Sequence, residues 1–302
     1  MKSIVNQVLN GPPFSLKRMI VALALVVSST SFAGNKFNYH GALLVPQFHA
    51  TDADVVTQAK PLLYYGGPVL SQVKVMTVLW NDQVSADVKT GISDFYAAYV
   101  DSQHMDWLAE YSTNLTAVDG RQGTGQTIGR GSFIGEKILT PSFTGKKISD
   151  EQIQAELIKQ IDAGILPKPD SQTLYMIHFP AKMQIVIEGM TSCFSFGGYH
   201  NGVKTTQYGD LFYGVMPECS MFGGANFGEI TYVSAHELIE AVTDPYPTPG
   251  SSPAYPQAWN AADGNEIADL CNGGSATLKG PKANYKITLE WSNSRNRCYD
   301  GQ

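Results

Sequence analysis

The segment Val233 to Val242 sets the strongest limit on how this chain folds. Its only polar side chains are Ser234, His236, Glu237 and Glu240. A helix this apolar is buried, and an unpaired charge costs several kcal/mol to bury. The fold must therefore find partners for three ionisable groups on one coil. Asp244-Pro245 stops the helix, because a residue that precedes proline is pushed out of the helical region.

On a helix, His236 and Glu240 are four apart and share a face, with Glu237 to one side. This is the layout of H-E-x-x-H, in which two histidines bind zinc and the glutamate activates water. Here Glu240 replaces the second histidine, and a carboxylate is an accepted zinc ligand. Glu266 is the expected third ligand. Asp269, three residues on, is the fallback ligand or the group that orients His236. His200, in the glycine-rich stretch Gly197 to Gly202, is a further candidate. With a metal in place, Glu237 is the expected catalytic base and the attack falls on a carbonyl. Tyr199, Tyr208 or Tyr232 would stabilise the oxyanion. The plainer alternative puts Glu237 and Glu240 in solvent, His236 hydrogen-bonded in the core, and Asp263 to Asp269 in a polar turn. Oxygen donors are also dense enough in that turn for calcium. His40, His49, His104 and His178 read as structural or surface residues.

The first 33 residues read as a secretory signal. Lys2, Lys17 and Arg18 precede the apolar run Met19 to Val27, and Ser31-Phe32-Ala33 has a small-x-small cleavage form. Removing residues 1–33 lowers the basic count from 21 to 18 against 27 acids, so the formal charge moves from −6 to −9. That balance, with no basic stripe, argues against a nucleic-acid partner. No later segment is long and apolar enough to span a membrane. The expected location is secreted or periplasmic. In such a setting Cys193, Cys219, Cys271 and Cys298 read as two disulfides, with Cys193–Cys219 and Cys271–Cys298 favoured because they close the shorter loops. No G-x-S-x-G elbow is present, which sets aside a serine hydrolase.

Strand and helix signals interleave. Strands are expected at Val73–Trp80, Thr173–Phe179, Ile185–Ile187, Leu211–Val215 and Tyr285–Trp291. Helices are expected over Val84–Val100, His104–Tyr111, Thr231–Val242 and from Ser149, where Ser149 to Gln152 has capping-box form. Gly120 to Gly135 holds six glycines and reads as a loop entering a strand. The expected fold is α/β, a mixed sheet with helices on its faces and a zincin-like active-site helix. Residues 34–302 read as one domain with an extended lead-in over 34–70.

Several blocks together resemble the EXORDIUM (phosphate-induced protein) family. They are Tyr39 to Leu44; Val73 to Trp80 with Ile92 to Phe95 and Trp107; and Glu188 to Cys193 with Gly198-Tyr199-His200. The most specific are Ser234 to Leu238 with Glu240, similar to that family's His-Glu-Leu-x-Glu stretch, and Glu266 to Cys271, similar to its Glu-Ile-x-Asp-Leu-Cys block. The resemblance implies an exported, wall- or matrix-associated role, and pairs the His-Glu helix with the Glu266 block in one site. It supplies no catalytic residues.

Two functions follow as expectations. One is a secreted zinc peptidase acting on a peptide or protein substrate. The other is a non-catalytic exported protein that binds cell-surface carbohydrate, for which the 15 tyrosines and 4 tryptophans provide stacking surface.

Overall fold

A computed structural model describes residues 61–219, 226–247 and 252–301, all within the compact unit Lys36–Gln302. The expected signal (1–33), His40, His49 and most of the lead-in lie outside these residues.

The centre is a five-stranded sheet. Its strands are β2 (Lys74–Leu79), β3 (Ser132–Ile138), β5 (Thr173–His178), β8 (Tyr199–Thr205) and β9 (Gly209–Met216), in the order β3-β2-β5-β9-β8. Four strands run parallel, and β8 runs antiparallel to β9 at the edge. The class is α/β with a mixed sheet, as the sequence led us to expect. Alternation along the strands divides the apolar residues between two cores. Val75 and Leu79 of β2, Leu174 and Met176 of β5, and Phe212 of β9 face one core. Met76 and Val78, Tyr175 and Ile177, and Tyr213 and Val215 face the other.

α1 (Ala86–Val100) buries Val88, Ile92, Phe95 and Tyr99 in the first core. α2 (Gln103–Trp107) follows, continued by a 3-10 turn over Leu108–Tyr111. The second core is covered by α3 (Asp150–Asp162), with β4 (Lys147–Ser149), β6 (Gln184–Ile187) and β7 (Met190–Thr191) forming a small sheet beside it. The expected capping box is present. The Ser149 hydroxyl accepts the Gln152 N–H, and the Gln152 side chain accepts the Ser149 N–H at 2.9 Å.

α4 (Phe227–Thr243) carries the His-Glu segment and packs on α1, β8 and β9 within the first core. The Asn226 side chain caps its N-terminus by accepting the Glu229 N–H at 3.0 Å. Beyond it, β10 (Trp259–Asn260) pairs with β1 (Leu63–Tyr64), so the end of the lead-in is an ordered strand. A 3-10 turn over Asp269–Cys271 precedes β11 (Ser275–Lys279), β12 (Asn284–Thr288), β13 (Glu290–Ser292) and β14 (Arg297–Tyr299). The single final strand expected over Tyr285–Trp291 is two strands. The chain changes partner at Leu289, with β12 pairing to β11 and β13 to β14.

Both disulfides join the cysteines that close the shorter loops, Cys193–Cys219 and Cys271–Cys298. Cys271 ends the 3-10 turn that begins at Asp269. Nearby, a buried ion pair ties α2 to the C-terminal strands. His104 Nε2 lies 2.9 Å from Glu290 Oε2, His104 Nδ1 donates to the Asp300 carbonyl at 2.9 Å, and the Tyr99 hydroxyl donates to Glu290 Oε1 at 3.1 Å. Burial alone would lower the His104 pKa, but the Glu290 carboxylate and the Asp300 carbonyl hold it above its ordinary 6.5.

Candidate metal centre

Every metal-site candidate read from the sequence falls in one buried cluster. α4 supplies His236, Glu237 and Glu240; the loop before the 3-10 turn supplies Glu266, and the turn itself Asp269; β8 supplies His200. The side chains of His200, His236, Glu237, Glu240 and Glu266 are 0% exposed, and only Asp269, at 12%, meets solvent.

The expected solvent-facing alternative for Glu237 and Glu240 is therefore excluded. The segment is helical, and every residue from Ser234 to Thr243 is buried. The third position beside His236 and Glu240 is taken by Asp269 rather than Glu266. His236 Nε2 lies 3.0 Å from Glu240 Oε1 and 3.4 Å from Asp269 Oδ1. The Asp269 N–H donates to the same Glu240 oxygen at 3.2 Å and fixes it there. Glu266 turns instead to the other imidazole, with Oε1 3.5 Å from His200 Nε2. The reason is local: the Glu266 N–H donates to Asp269 Oδ2 at 3.2 Å, which curls the chain so that the two carboxylates diverge.

His200 stands on the inner face of β8. Its Nε2 donates to the Asp244 carbonyl at 3.0 Å, and its Nδ1 lies 3.3 Å from Glu237 Oε2 and 3.9 Å from Glu240 Oε2. Asp244 was expected only to stop the helix, yet it also anchors this side. Its carbonyl holds His200, and its carboxylate accepts from the Ala258 N–H at 2.8 Å and from the Asn260 amide.

Proximity is not matched by hydrogen bonding. Neither nitrogen of His236 has a hydrogen-bond partner, nor do Glu237 Oε1, Glu240 Oε2 or either oxygen of Glu266. Buried polar atoms are normally satisfied, so this many orphans in one place is exceptional. Ligand atoms this close together without hydrogen bonds between them suit a shared cation. Two sets do so, each with all its donor atoms within 4.8 Å: His200, Glu237 and Glu240, and His236, Glu240 and Asp269. These groups could hold a metal ion.

The electrostatics agree. Burial pushes Glu240 up to about 7, with His236 pulling down and Asp269 adding to the rise. Burial likewise pushes Glu266 up to about 8 against the pull of His200, and Glu240 adds to the rise. For His200 and His236 burial opposes the charged form, but the facing carboxylates raise both well above 6.5. The cluster demands positive charge, as protons or as a cation.

The three tyrosines considered for an oxyanion role all point elsewhere. The Tyr199 hydroxyl donates to Asp150 at 2.6 Å on the opposite face of β8, Tyr208 donates to Asp162 at the surface, and the Tyr232 oxygen accepts the Gly273 N–H at 3.2 Å. Tyr96 of α1 is the tyrosine near the cluster; burial raises its pKa first, and the Glu237 charge adds to that. Its hydroxyl lies 2.9 Å from His178 Nε2, a buried imidazole that desolvation lowers to about 3. Gly198 was also missed. A Cβ there would sit 3.1 Å from Glu237 Oε1 and 2.6 Å from Val233 Cγ1, so β8 reaches α4 only because this residue has no side chain. The Gly197-Gly198 pair was the available signal.

No helix among the described residues is long and apolar enough to cross a membrane. No protein-family model matches the chain, and no curated protein matches it.

Proposed function

We propose that this protein is an exported metal-dependent hydrolase, a zinc peptidase built on a zincin-like His-Glu-x-x-Glu helix and related to the EXORDIUM family. The single observation that carries the reading is the close approach of His236 Nε2, Glu240 and Asp269 in a cluster where neither His236 nitrogen nor Glu240 Oε2 has a hydrogen-bond partner. Their nitrogen and carboxylate chemistry suits zinc, and an imidazole donor disfavours calcium.

A divalent cation in that position supplies Lewis acidity and lowers the pKa of a water it binds. The chain's own residues do the rest. His236, Glu240 and Asp269 hold the site, and the Asp269 N–H keeps Glu240 turned toward His236. Glu237, next on the helix, offers Oε1 as the proton acceptor, since only Oε2 is engaged, by His200. β8 supports a peptide substrate. It is the edge strand of the sheet and packs on α4, where an extended chain can add as a further strand. The disulfides support an oxidising compartment.

The near-complete burial of the donors favours a second reading, in which a bound ion stabilises an exported binding protein without turnover. Elemental analysis and peptide hydrolysis by the purified chain separate the two. The hydrolase reading expects bound zinc, lost in His236→Ala, and an activity that falls by about 100-fold or more in Glu237→Gln while zinc stays bound. Bound zinc with no hydrolysis of any peptide in a diverse library leaves the binding-protein reading. No bound metal ends both.

A further inference from the structure

We propose that the cluster takes two divalent cations, bridged by the two carboxylate oxygens of Glu240. This rests on the metal reading above and goes beyond it by assigning His200 as a ligand.

Glu240 divides its oxygens between the two imidazoles. Oε1 faces His236 and Asp269, while Oε2 faces His200 and has no hydrogen-bond donor. The ring of His200 is oriented by a backbone carbonyl, since Nε2–H donates to Asp244. That is the support a metal-ligating imidazole normally has. It leaves Nδ1 facing Glu237 Oε2 (3.3 Å) and Glu240 Oε2 (3.9 Å). Nδ1 either carries a second ring proton toward Glu237 or, without it, offers its lone pair to a cation held with those two carboxylate oxygens.

Spacing favours the cation. Ligands about 2.0–2.1 Å from a tetrahedral ion lie roughly 3.3 Å from each other. The pairs on both sides of Glu240 run from 3.0 to 3.9 Å. Charge favours a pair of cations. Glu237, Glu240, Glu266 and Asp269 are four carboxylates whose ion-pair partners within the cluster are His200 and His236, with no lysine or arginine among the described residues within bridging distance. With one cation on the His236 side and His200 carrying its second ring proton, one of these charges stays unmatched; a second cation in place of that proton matches all four. A carboxylate bridge suits the separation of about 3.5–4 Å found in two-metal sites. An imidazole on each side favours zinc over magnesium or calcium, and the carboxylates admit manganese as a probe. Glu237 then gives Oε2 to the second cation and keeps Oε1 as the proton acceptor.

The test is stoichiometry on the purified chain, stripped with chelator and reloaded with zinc or with manganese. Two equivalents of zinc are expected by mass spectrometry, and the manganese form should give an exchange-coupled paramagnetic resonance spectrum. His200→Ala should keep one equivalent and lose the coupling. One equivalent in the unmodified chain, retained in His200→Ala, overturns the two-cation site and leaves the single-metal reading standing. No bound metal in the unmodified chain overturns both. The unmodified chain decides the question even where the variant fails to fold.

Discussion

Tyr199, His200 and Asn201 are consecutive on β8, yet the two faces of that strand bury negative charge in opposite ways. On the α3 side, Asp150 is 3% exposed and fully served. It accepts the Tyr199 hydroxyl at 2.6 Å, the Tyr213 hydroxyl at 2.8 Å and the Gln154 amide at 2.7 Å. On the α4 side, Glu237, Glu240 and Glu266 are buried just as deeply, but most of their oxygens have no donor. The first arrangement is complete within the chain and needs nothing else. The second is incomplete, and its shape is that of a binding site.

On that contrast, chelation gives the largest effect. A cation present at about a thousand times its Kd adds about 4 kcal/mol of stability. Removing it should lower the Tm by roughly 8–16 °C in a domain of this size. Differential scanning calorimetry with and without EDTA reads this, and an unchanged Tm breaks the comparison. The same scan on Asp150→Asn should show full sensitivity to EDTA, since that carboxylate belongs to the self-sufficient face.

His104 and Glu290 offer an intermediate case, an ion pair that is buried but matched. His104→Ala strands Glu290 and should cost about 3 kcal/mol in urea denaturation. The pair also predicts a pH slope. The folded pKa of His104 is raised above 6.5, so its contribution is fully present below pH 6.5 and is lost as pH rises through the folded value. His104→Gln should remove that slope, measured as ΔG of unfolding between pH 6 and pH 9.

Asp150→Asn exchanges a charged acceptor for a neutral amide among four donors, Asn201 being the fourth, and should cost about 2 kcal/mol. The smallest effect belongs to Arg130. It bridges Asp101 and Asp106 at 3.3 and 2.7 Å on the surface, where screening leaves little. Arg130→Ala should cost under about 1 kcal/mol and lose even that in high salt.

The local parts of this molecule were legible in the sequence. The Ser149 capping box, the stripe behind it, the β-branched run of β2 and the apolar helix α4 each declare themselves within a dozen residues. The cluster was legible in membership, because His236, Glu237 and Glu240 are chemically conspicuous on an apolar coil and Glu266 with Asp269 recur at helical spacing. Its geometry was not. Which of Glu266 and Asp269 joins His236 depends on one backbone hydrogen bond, from the Glu266 N–H to Asp269. β8 escaped notice as a strand because Gly198, Asn201 and Gly202 break its β-type pattern, and an edge strand tolerates such residues. The His104–Glu290 pair joins residues far apart in the chain, and no local pattern announces a partner at that distance.

The donors of the cluster also have an order of manufacture. Residues 200, 236 to 240 and 266 to 269 are made in that order, and the Cys271–Cys298 bridge that clamps the last of them closes only once Cys298 has followed. A product cut short before Glu266 would lack the Asp269 N–H that aims Glu240 and the strand β12 against which α4 packs. Early termination between Asp269 and Cys298 should therefore leave every donor in the chain but the segment that carries Glu266 and Asp269 without its clamp.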